Sequence, residues 1–375
     1  MFEPRYIKHS HLLVRHAEKL LRYRRDRLSA ATILELRSQI EKVRAAMKSR
    51  DQKATHEESE RLDTLLTAHT PPQRDAVWRE NVEVILVAIV VAIGIRSYFL
   101  QPFKIPTGSM QPTLNGIIGH PSDAPAPNIL KQAFDFVAFG RNYINVVSQQ
   151  EDAIESITQQ KYLFFFTFSR VRCVRQSFLV YAPPEILRQD FKVYPGNVYH
   201  AGEVIARGAV DTGDQVFVDK FSYNFIHPHR GDVFVFRTNH ILGIPDDPVT
   251  GAPYYIKRLT GTPGDELRID APKLYVNGEP AKNFGIRRVM SAQDPYEGYS
   301  QGPMSVPLAA GYSAPGNLYS PKVPYTIPAH RYFAMGDNSH NSYDSRYWGP
   351  VPEENVVGRG LFVYWPFGRH WGIIR

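Results

Sequence analysis

The sequence predicts a mainly β protein that carries one membrane-spanning helix and a helical N-terminal tail. Short segments rich in aromatic and β-branched residues, bounded by turn residues, recur after residue 210 and read as strands. One long apolar run lies before them, in the first hundred residues. The 80 residues at the N-terminus are polar and hold 17 basic and 12 acidic side chains, so most of the net charge of +7 belongs to them. Such a charge is typical of a tail near a membrane surface or nucleic acid and says nothing of the body, and we expect no nucleic-acid partner.

The tail, residues 1–80, shows the spacing of amphipathic helices. Apolar residues recur there at intervals of three and four. They are Ile33, Leu36, Ile40, Val43 and Met47. Thr32 with Glu35, and Thr55 with Glu58, fit capping boxes that would begin two helices. We therefore expect a solvated pair of helices that pack on each other or on anionic lipid.

The apolar run at 84–100 reads VILVAIVVAIGIRSYFL and contains one charge, Arg96, near its end. At 1.5 Å per residue a helix of this length spans about 25 Å, close to the thinnest hydrocarbon core. We assign residues 81–100 to a single membrane-spanning helix, with a buried core helix as the alternative. The first 50 residues hold 13 basic and 5 acidic side chains. This bias places the tail in the cytoplasm and the body on the outer side of the cytoplasmic (inner) membrane.

The body is predicted to be an antiparallel β domain, because its strands are short and show no βαβ spacing. The predicted strands are Gln215–Asp219, Val233–Phe236, Tyr254–Leu259, Leu267–Ile269, Leu274–Val276, Tyr332–Met335 and Leu361–Trp365. Asn277-Gly278 indicates a type I′ hairpin turn. Residues 115–210 fit this pattern less well, and we interpret them as an inserted subdomain. The β-rich domain then consists of residues 101–114 and 211–375.

Metal chemistry is not indicated by the sequence. Cys173 is the only cysteine, which excludes an intramolecular disulfide and a zinc site built on several cysteines. His227 and His229 are two positions apart and could lie on one side of a strand, but no third metal ligand lies near them in the sequence. We expect neither a metal nor a cofactor.

Ser109 and Lys257 are the candidates for nucleophilic chemistry. Ser109 follows Gly108 shortly after the membrane helix, where a serine is either a turn residue or a nucleophile. Lys257 lies within the apolar segment YYIKRL, next to Arg258. Because neighbouring residues of a strand face opposite sides, one of these two cations is expected to point inward. A buried lysine loses solvation, its pKa falls, and its neutral amine can then accept the proton of a serine hydroxyl.

Four segments resemble the motifs of the bacterial type I signal peptidases (leader peptidases, peptidase S26), which are membrane-bound Ser–Lys proteases. They are PTGSMQPTL at 106–114, GDQVFVDKF at 213–221, RGDVFVF at 230–236 with KRLTGTPGD at 257–265, and GDNSHNSYDSRYWGPVP at 336–352. They occur in the order of the family and begin just after the apolar run. The resemblance implies a signal-peptidase-type β domain that removes signal peptides from secretory preproteins at the outer membrane face. Its partners would be those preproteins and membrane lipid.

The resemblance also implies a role for particular residues. Ser109 would be the nucleophile, Lys257 the general base, and Thr107 an oxyanion donor together with the Ser109 backbone N–H. Ser342 would hydrogen-bond to the lysine and orient it. Further supporting residues would be Gly336 and Asp337 in a turn and Asp344 and Arg346 as an ion pair. The alternative for these four residues and for Ser342 is that they only fold their loop, and for Asp337, Asp344 and Arg346 it stands equal to a direct role. The walls of shallow pockets for small substrate residues would be Phe103, Ile105, Pro106, Leu114, Tyr255 and Ile256.

Three features depart from the family pattern. Ser339-His340 stands where the family often has Arg-Asp, and we expect His340 to face solvent. The membrane helix follows a long tail, and the insertion at 115–210 is unusually long. Two alternatives remain: a self-cleaving repressor, which would need a DNA-binding helix-turn-helix and no membrane span, and a catalytically silent membrane-anchored binding protein.

Overall fold

The computed structural model describes residues 4–69, 76–162, 166–245, 251–307 and 313–375. The chain divides into two compact units, Met1–Ala88 and Ile89–Arg375. Residues 1–3 and 70–75 of the predicted tail lie outside the described residues.

Within residues 4–69 of the tail the structure describes three helices, α1 (Arg5–Arg24), α2 (Ala30–Ser49) and α3 (Gln52–His69). They pack on one another through a cluster that includes Leu36, Val43 and Leu62, so the stripe predicted for α2 is confirmed. Helix α1 was not predicted from the sequence. Its buried face is interrupted by Ser10 and Ala17, and such a face lacks a continuous run of large apolar residues.

Helices α2 and α3 begin one turn earlier than the capping boxes predicted. The Ser29 hydroxyl accepts a hydrogen bond from the backbone N–H of Thr32 at 3.1 Å, and Ser29 is therefore the N-cap of α2. Asp51 accepts from the backbone N–H groups of Lys53 and Ala54. Both predicted boxes were wrong because a polar side chain upstream, three residues before Thr32 and four before Thr55, already satisfies the first N–H groups.

Helix α4 (Ala76–Tyr98) contains the apolar run. Its segment Glu80–Tyr98 has a mean hydropathy of 1.8, and this apolar stretch is not buried inside the protein. The alternative of a buried core helix is therefore wrong. Helix α4 is long and apolar enough to cross a membrane, and strand β1 (Leu100–Lys104) begins two residues after it ends.

The insertion forms two small antiparallel sheets, ordered β2-β8-β3 and β6-β5-β4-β7. Its elements are β2 (Ile118–Pro121), α5 (Ile129–Phe139), β3 (Arg141–Val147), β4 (Asp152–Tyr162), β5 (Phe166–Cys173), β6 (Ser177–Val180), α6 (Pro184–Gln189), β7 (Val198–Tyr199) and β8 (Val204–Asp211). A hydrophobic cluster around Ile154, Val171 and Leu187 lies between them.

The rest of the body is built from short strands and helices. They are β9 (Gln215–Asp219), β10 (Val233–Arg237), β11 (Tyr254–Gly261), β12 (Glu266–Asp270), β13 (Lys273–Val276), β14 (Glu279–Pro280), α7 (Phe284–Met290), β15 (Ser305–Pro307), β16 (Ser313–Pro315), β17 (Tyr325–Thr326), β18 (Arg331–Met335), α8 (Ser345–Trp348), β19 (Val351–Pro352), β20 (Val356–Trp365) and β21 (Gly372–Ile373). All seven predicted strands are present.

The main sheet has the order β1-β9-β20-β10-β11-β18-β19, with β21 also paired to β20. A second sheet has the order β14-β13-β12-β17. The turn between β13 and β14 has positive φ at both Asn277 and Gly278, as a type I′ turn requires. Every strand pair of the described residues in these sheets is antiparallel, which confirms the predicted mainly β class.

Candidate active site

Ser109 lies on a short 3-10 turn, Gly108–Met110, that follows β1. Met110 and Leu114 after it are fully buried in the hydrophobic cluster formed with strands β9 and β10, and this burial anchors the turn. The backbone N–H of Asn338 donates to the Ser109 carbonyl oxygen at 3.1 Å. Ser109 is held from both sides and is only 8% exposed.

Lys257 reaches Ser109 from β11, the strand beside β10 in the main sheet. Its Nζ lies 2.6 Å from the Ser109 Oγ, although the two residues are 148 positions apart in the chain. Lys257 is 5% exposed, and its ammonium lies 5.5 Å from the centroid of the Tyr255 ring. Burial lowers the pKa of Lys257 to about 8, and the nearby charge of Asp344 opposes this by favouring the ammonium.

This pair of groups is suited to nucleophilic chemistry. A lysine with a pKa near 8 is partly neutral at physiological pH, and in that form the Ser109 hydroxyl can donate its proton to the amine. The contact already has hydrogen-bond length, so this transfer needs no rearrangement of either side chain.

The two neighbouring cations of β11 are both buried, whereas the sequence indicated that one of them would point inward. Arg258 is 1% exposed and forms a bidentate ion pair with Asp337 at 2.7 and 2.6 Å. The hydroxyl of Thr113 also donates to Asp337. Burial disfavours the guanidinium charge, but Asp337 outweighs this and raises the pKa of Arg258. Arg258 was missed as a site residue because its partner is distant in sequence.

Asp344 and Arg346 form the ion pair that the resemblance implied, at 2.8 Å, and both are buried. Asp344 also accepts from the backbone N–H of Gly336, and Arg346 donates to the carbonyl oxygens of Ser300 and Ser339. These hydrogen bonds fix the loop that passes behind Ser109. His340 in the same loop is exposed, as expected.

Gly336 lies where the loop comes closest to the nucleophile segment. A Cβ atom at this position would lie 2.2 Å from Ser342 Oγ and 2.4 Å from the carbonyl oxygen of Ser109. Only glycine therefore fits there. Ser342 itself is buried, but its Oγ has no hydrogen-bond partner among the described residues. The hydrogen bond to Lys257 that the resemblance implied is not formed, which corrects that expectation.

The expected pocket residues fall into two groups. Leu114 is fully buried and Ile105 is 2% exposed, so both belong to the core beneath Ser109, and assigning them to a pocket surface was wrong. Phe103 and Ile256 are half-buried and pack against the same cluster, and Tyr255 is half-buried beside Lys257. Their packing leaves part of each side chain accessible.

A cavity of about 790 Å³ opens beside Ser109. Pro106 and Thr107 line it from the nucleophile segment, and Thr107 is exposed there. The opposite wall comes from the insertion, through Gln159 and through Glu185 and Gln189 of α6. The sequence showed no sign of this wall, because it depends on how α6 packs against β2 and β4.

The chain is similar in sequence to known signal peptidases. Residues 78–119 and 206–365, more than half of the chain, match the family described as signal peptidase, peptidase S26. A signal peptidase I of Pseudomonas fluorescens is 30% identical over 256 residues, which cover 60% of this chain and 81% of that protein. A signal peptidase I of Leptolyngbya laminosa is 31% identical over 160 residues, covering 43% of this chain.

The matched regions do not include most of the tail and the insertion. This chain spans 64% of the length of the Leptolyngbya relative. A crystal structure of a signal peptidase I from Enterococcus faecalis V583 shares 26% identity, covers 36% of this chain and 97% of that chain, and gives a TM-score of 0.24. By the extent of the family match and the similarity to the Pseudomonas protein, the chain belongs to the signal peptidase family, peptidase S26.

Proposed function

We propose that this protein is a serine endopeptidase that removes signal peptides from secreted preproteins, with Ser109 as nucleophile and Lys257 as general base. The observation that carries the proposal is the 2.6 Å contact between the buried amine and the serine hydroxyl. Membership of the signal peptidase family supports the substrate class. The alternatives of a self-cleaving repressor and a silent binding protein are disfavoured by the apolar helix and by this contact.

In the proposed reaction the neutral amine of Lys257 takes the proton of Ser109 as Oγ attacks the scissile carbonyl carbon. The backbone N–H of Ser109 and the hydroxyl of Thr107 stabilise the oxyanion. The ammonium of Lys257 then protonates the leaving amine, and the signal peptide remains as an acyl ester on Ser109. Water, deprotonated by Lys257, hydrolyses this ester and restores both groups.

The supporting groups act by holding this geometry. The Arg258–Asp337 pair and the Asp344–Arg346 pair fix the two sides of the loop, and Gly336 allows it to approach Ser109. Phe103, Pro106, Tyr255 and Ile256 would form the walls that admit small residues at positions −1 and −3 of the substrate. Steric exclusion by such walls is an effective filter against larger side chains.

The membrane anchor would place this chemistry at the lipid boundary. Ser109 follows Leu100 by nine residues, and Leu100 comes just after α4. A preprotein whose apolar signal helix lies in the bilayer presents its cleavage region at the same height, which raises the effective concentration of the two partners. We propose that the tail is cytoplasmic and that the body lies on the outer side of the cytoplasmic membrane.

The direct test is cleavage of a purified preprotein by the full chain reconstituted in phospholipid vesicles. We expect a single cut after a small residue, identified by mass spectrometry of both products. A preprotein with phenylalanine at −1 should be cleaved at least about 100-fold more slowly, since a buried clash of several kcal/mol opposes its binding. Equal cleavage of both preproteins, or none of either, would contradict the proposal.

The pH dependence of kcat/KM should follow the ionisation of Lys257. The amine must be neutral to accept a proton, and its pKa is about 8, so kcat/KM should rise with pH and level off above that value. At pH 6 only about 1% of the amine is neutral, and the rate should be about 100-fold below the plateau. Circular dichroism at pH 6 controls for unfolding. A flat profile between pH 6 and 9 would exclude Lys257 as the base.

Replacing Thr107 by alanine should lower kcat by about 10² to 10³-fold if its hydroxyl stabilises the oxyanion. Thr107 is exposed at the cavity, so the substitution should leave the fold and thermal stability unchanged. Thr107→Ser keeps the hydroxyl and is the matched control, with kcat within a fewfold of the parent. A Thr107→Ala protein with parental kcat would remove Thr107 from the mechanism.

A further inference from the structure

Helix α5 of the insertion buries a charged side chain and exposes apolar ones, which is the reverse of the usual arrangement for a helix at a water-exposed surface. Asp135 is its only fully buried side chain, and it is held by the Tyr143 hydroxyl at 2.7 Å and by the Lys131 ammonium. The opposite face carries Leu130, Phe134 and Val137, which are 80%, 62% and 64% exposed. These three follow at spacings of four and three and so form one continuous stripe.

The helix is well formed and firmly attached, so this exposure is a built feature. Asn128 caps its N-terminus through the backbone N–H of Lys131, and Gly140 ends it in the left-handed conformation. The indole N–H of Trp365 donates to the carbonyl oxygen of Val137 at 2.7 Å. The backbone N–H of Phe367 donates to the carbonyl oxygen of Ala138. Helix α5 is thereby joined to the C-terminal end of β20.

These contacts extend the exposed apolar surface beyond the helix. Phe367 and Trp371 are each more than half exposed and lie with their ring centroids 6.2 Å apart. We call the surface formed by Leu130, Phe134, Val137, Phe367 and Trp371 the apolar patch. Arg369 lies between its two aromatic residues in the sequence and is also exposed. An apolar surface with tryptophan, phenylalanine and a basic residue at its border is typical of a segment that lies in the lipid–water interface.

Helix α5 adjoins the main sheet at the C-terminal end of β20, and this position relates the patch to the end of α4. Trp365 pairs with Gln215, and Gln215 pairs with Lys104 at the far end of β1, four residues after Leu100. Since a strand advances about 3.4 Å per residue, this end lies about 14 Å along β1 from the anchor.

A second group of exposed aromatic residues lies at the anchor end of the same strands. Phe99 stacks on Phe221, and Phe221 contacts Phe225, which is 73% exposed. Both ends of the β1–β9 edge therefore present apolar side chains to the outside. A bilayer surface running along this edge would cover the two groups together, and α4, which is long and apolar enough to cross a membrane, directly precedes the edge in the chain.

We propose that the apolar patch is a second membrane-contact site, at which α5 lies in the lipid–water interface with Leu130, Phe134 and Val137 facing the acyl chains. The insertion would then rest on the bilayer and hold the β1 edge parallel to it. This inference concerns lipid contact and does not depend on the proposed peptidase activity.

Site-directed fluorescence on the full chain in phosphatidylcholine–phosphatidylglycerol vesicles tests the proposal. The buried Cys173 is replaced by alanine, and an environment-sensitive probe is attached to Val137→Cys or, as control, to Gln149→Cys, an exposed insertion position outside the patch. Lipids with a nitroxide near the top of the acyl chain should reduce the probe fluorescence at 137 by at least about twofold, with little change at 149. Equal quenching at the two positions would overturn the proposal.

A second measurement separates lipid from a protein occupant. A probe at Phe367→Cys should lose its quenching when Leu130→Glu and Val137→Glu are introduced, and keep it with Val174→Glu, a control at another exposed valine of the insertion. Quenching that persists in the double variant contradicts lipid contact through α5. A probe at 137 that is shielded without quenching, and more so at higher protein-to-lipid ratio, would mean that a second copy covers the patch and would also overturn the proposal.

Discussion

Replacement of Ser109 by alanine is expected to lower the rate of preprotein cleavage by at least about 10⁴-fold, because no other group replaces a lost nucleophile. Lys257→Met should have an effect of similar size. It removes the amine that lies 2.6 Å from the Ser109 Oγ while keeping most of the apolar volume of the side chain. The measurement is kcat/KM with a purified preprotein and the full chain in vesicles, at a pH above 8.

The two substitutions should not add, since the serine and the lysine act in the same step. The double variant is expected to be about as slow as either single variant. Ser177→Ala and Lys273→Met, which change an exposed serine and an exposed lysine, are the matched controls and should cleave at the parental rate. Cleavage by Ser109→Ala at the parental rate would refute the proposed mechanism, and so would strictly additive effects of the two substitutions.

The second large effect is expected at Arg258 and Asp337, and it is an effect on stability. Asp337→Ala leaves the fully buried guanidinium of Arg258 without its counter-charge and removes two hydrogen bonds of 2.7 and 2.6 Å. Loss of one partner of a buried pair typically destabilises a protein by about 3–5 kcal/mol. We expect the thermal unfolding midpoint of the full chain in detergent to fall by several degrees, with kcat also reduced because the loop behind Ser109 loosens.

The double variant Asp337→Ala/Arg258→Met distinguishes this cause from a simple packing defect. It removes both charges, so it should be more stable than Asp337→Ala alone. Glu279→Ala breaks the exposed ion pair with Lys282 and serves as control, with no measurable change of the midpoint. A double variant less stable than Asp337→Ala would show that the uncompensated buried charge of Arg258 is not what destabilises the Asp337→Ala protein.

The burial of both neighbouring cations of β11, Lys257 and Arg258, shows what could not be predicted from the sequence. Alternation along β11 placed Lys257 and Arg258 on opposite faces, but it predicted only that one of them would point inward. In the folded protein each face of β11 is covered. One cation is neutralised by Asp337, and the other has its pKa lowered, which is how the strand accommodates both.

The residue pattern by itself determined the mainly β class, the place of seven strands and a helix that is long and apolar enough to cross a membrane. The reason is local: aromatic and β-branched residues favour extended chain, turn residues end each strand, and an apolar run such as 84–100, with a single charge near its end, suits only a membrane or a core. Thus Gln215–Asp219 was predicted as a strand with the bounds that the structure gives it. The motifs likewise singled out Ser109 and Lys257.

Tertiary structure alone decided which side chains meet. The contact of Lys257 with Ser109, the pairing of Arg258 with Asp337 and the wall that α6 adds to the cavity join segments about 80 or more residues apart, or depend on packing between them. Tertiary structure also decided the burial of Leu114 and Ile105 and left the Ser342 hydroxyl without a partner among the residues that the structure describes. Distances and solvation at such positions arise from many contacts between distant strands, and no local spacing of residues encodes them.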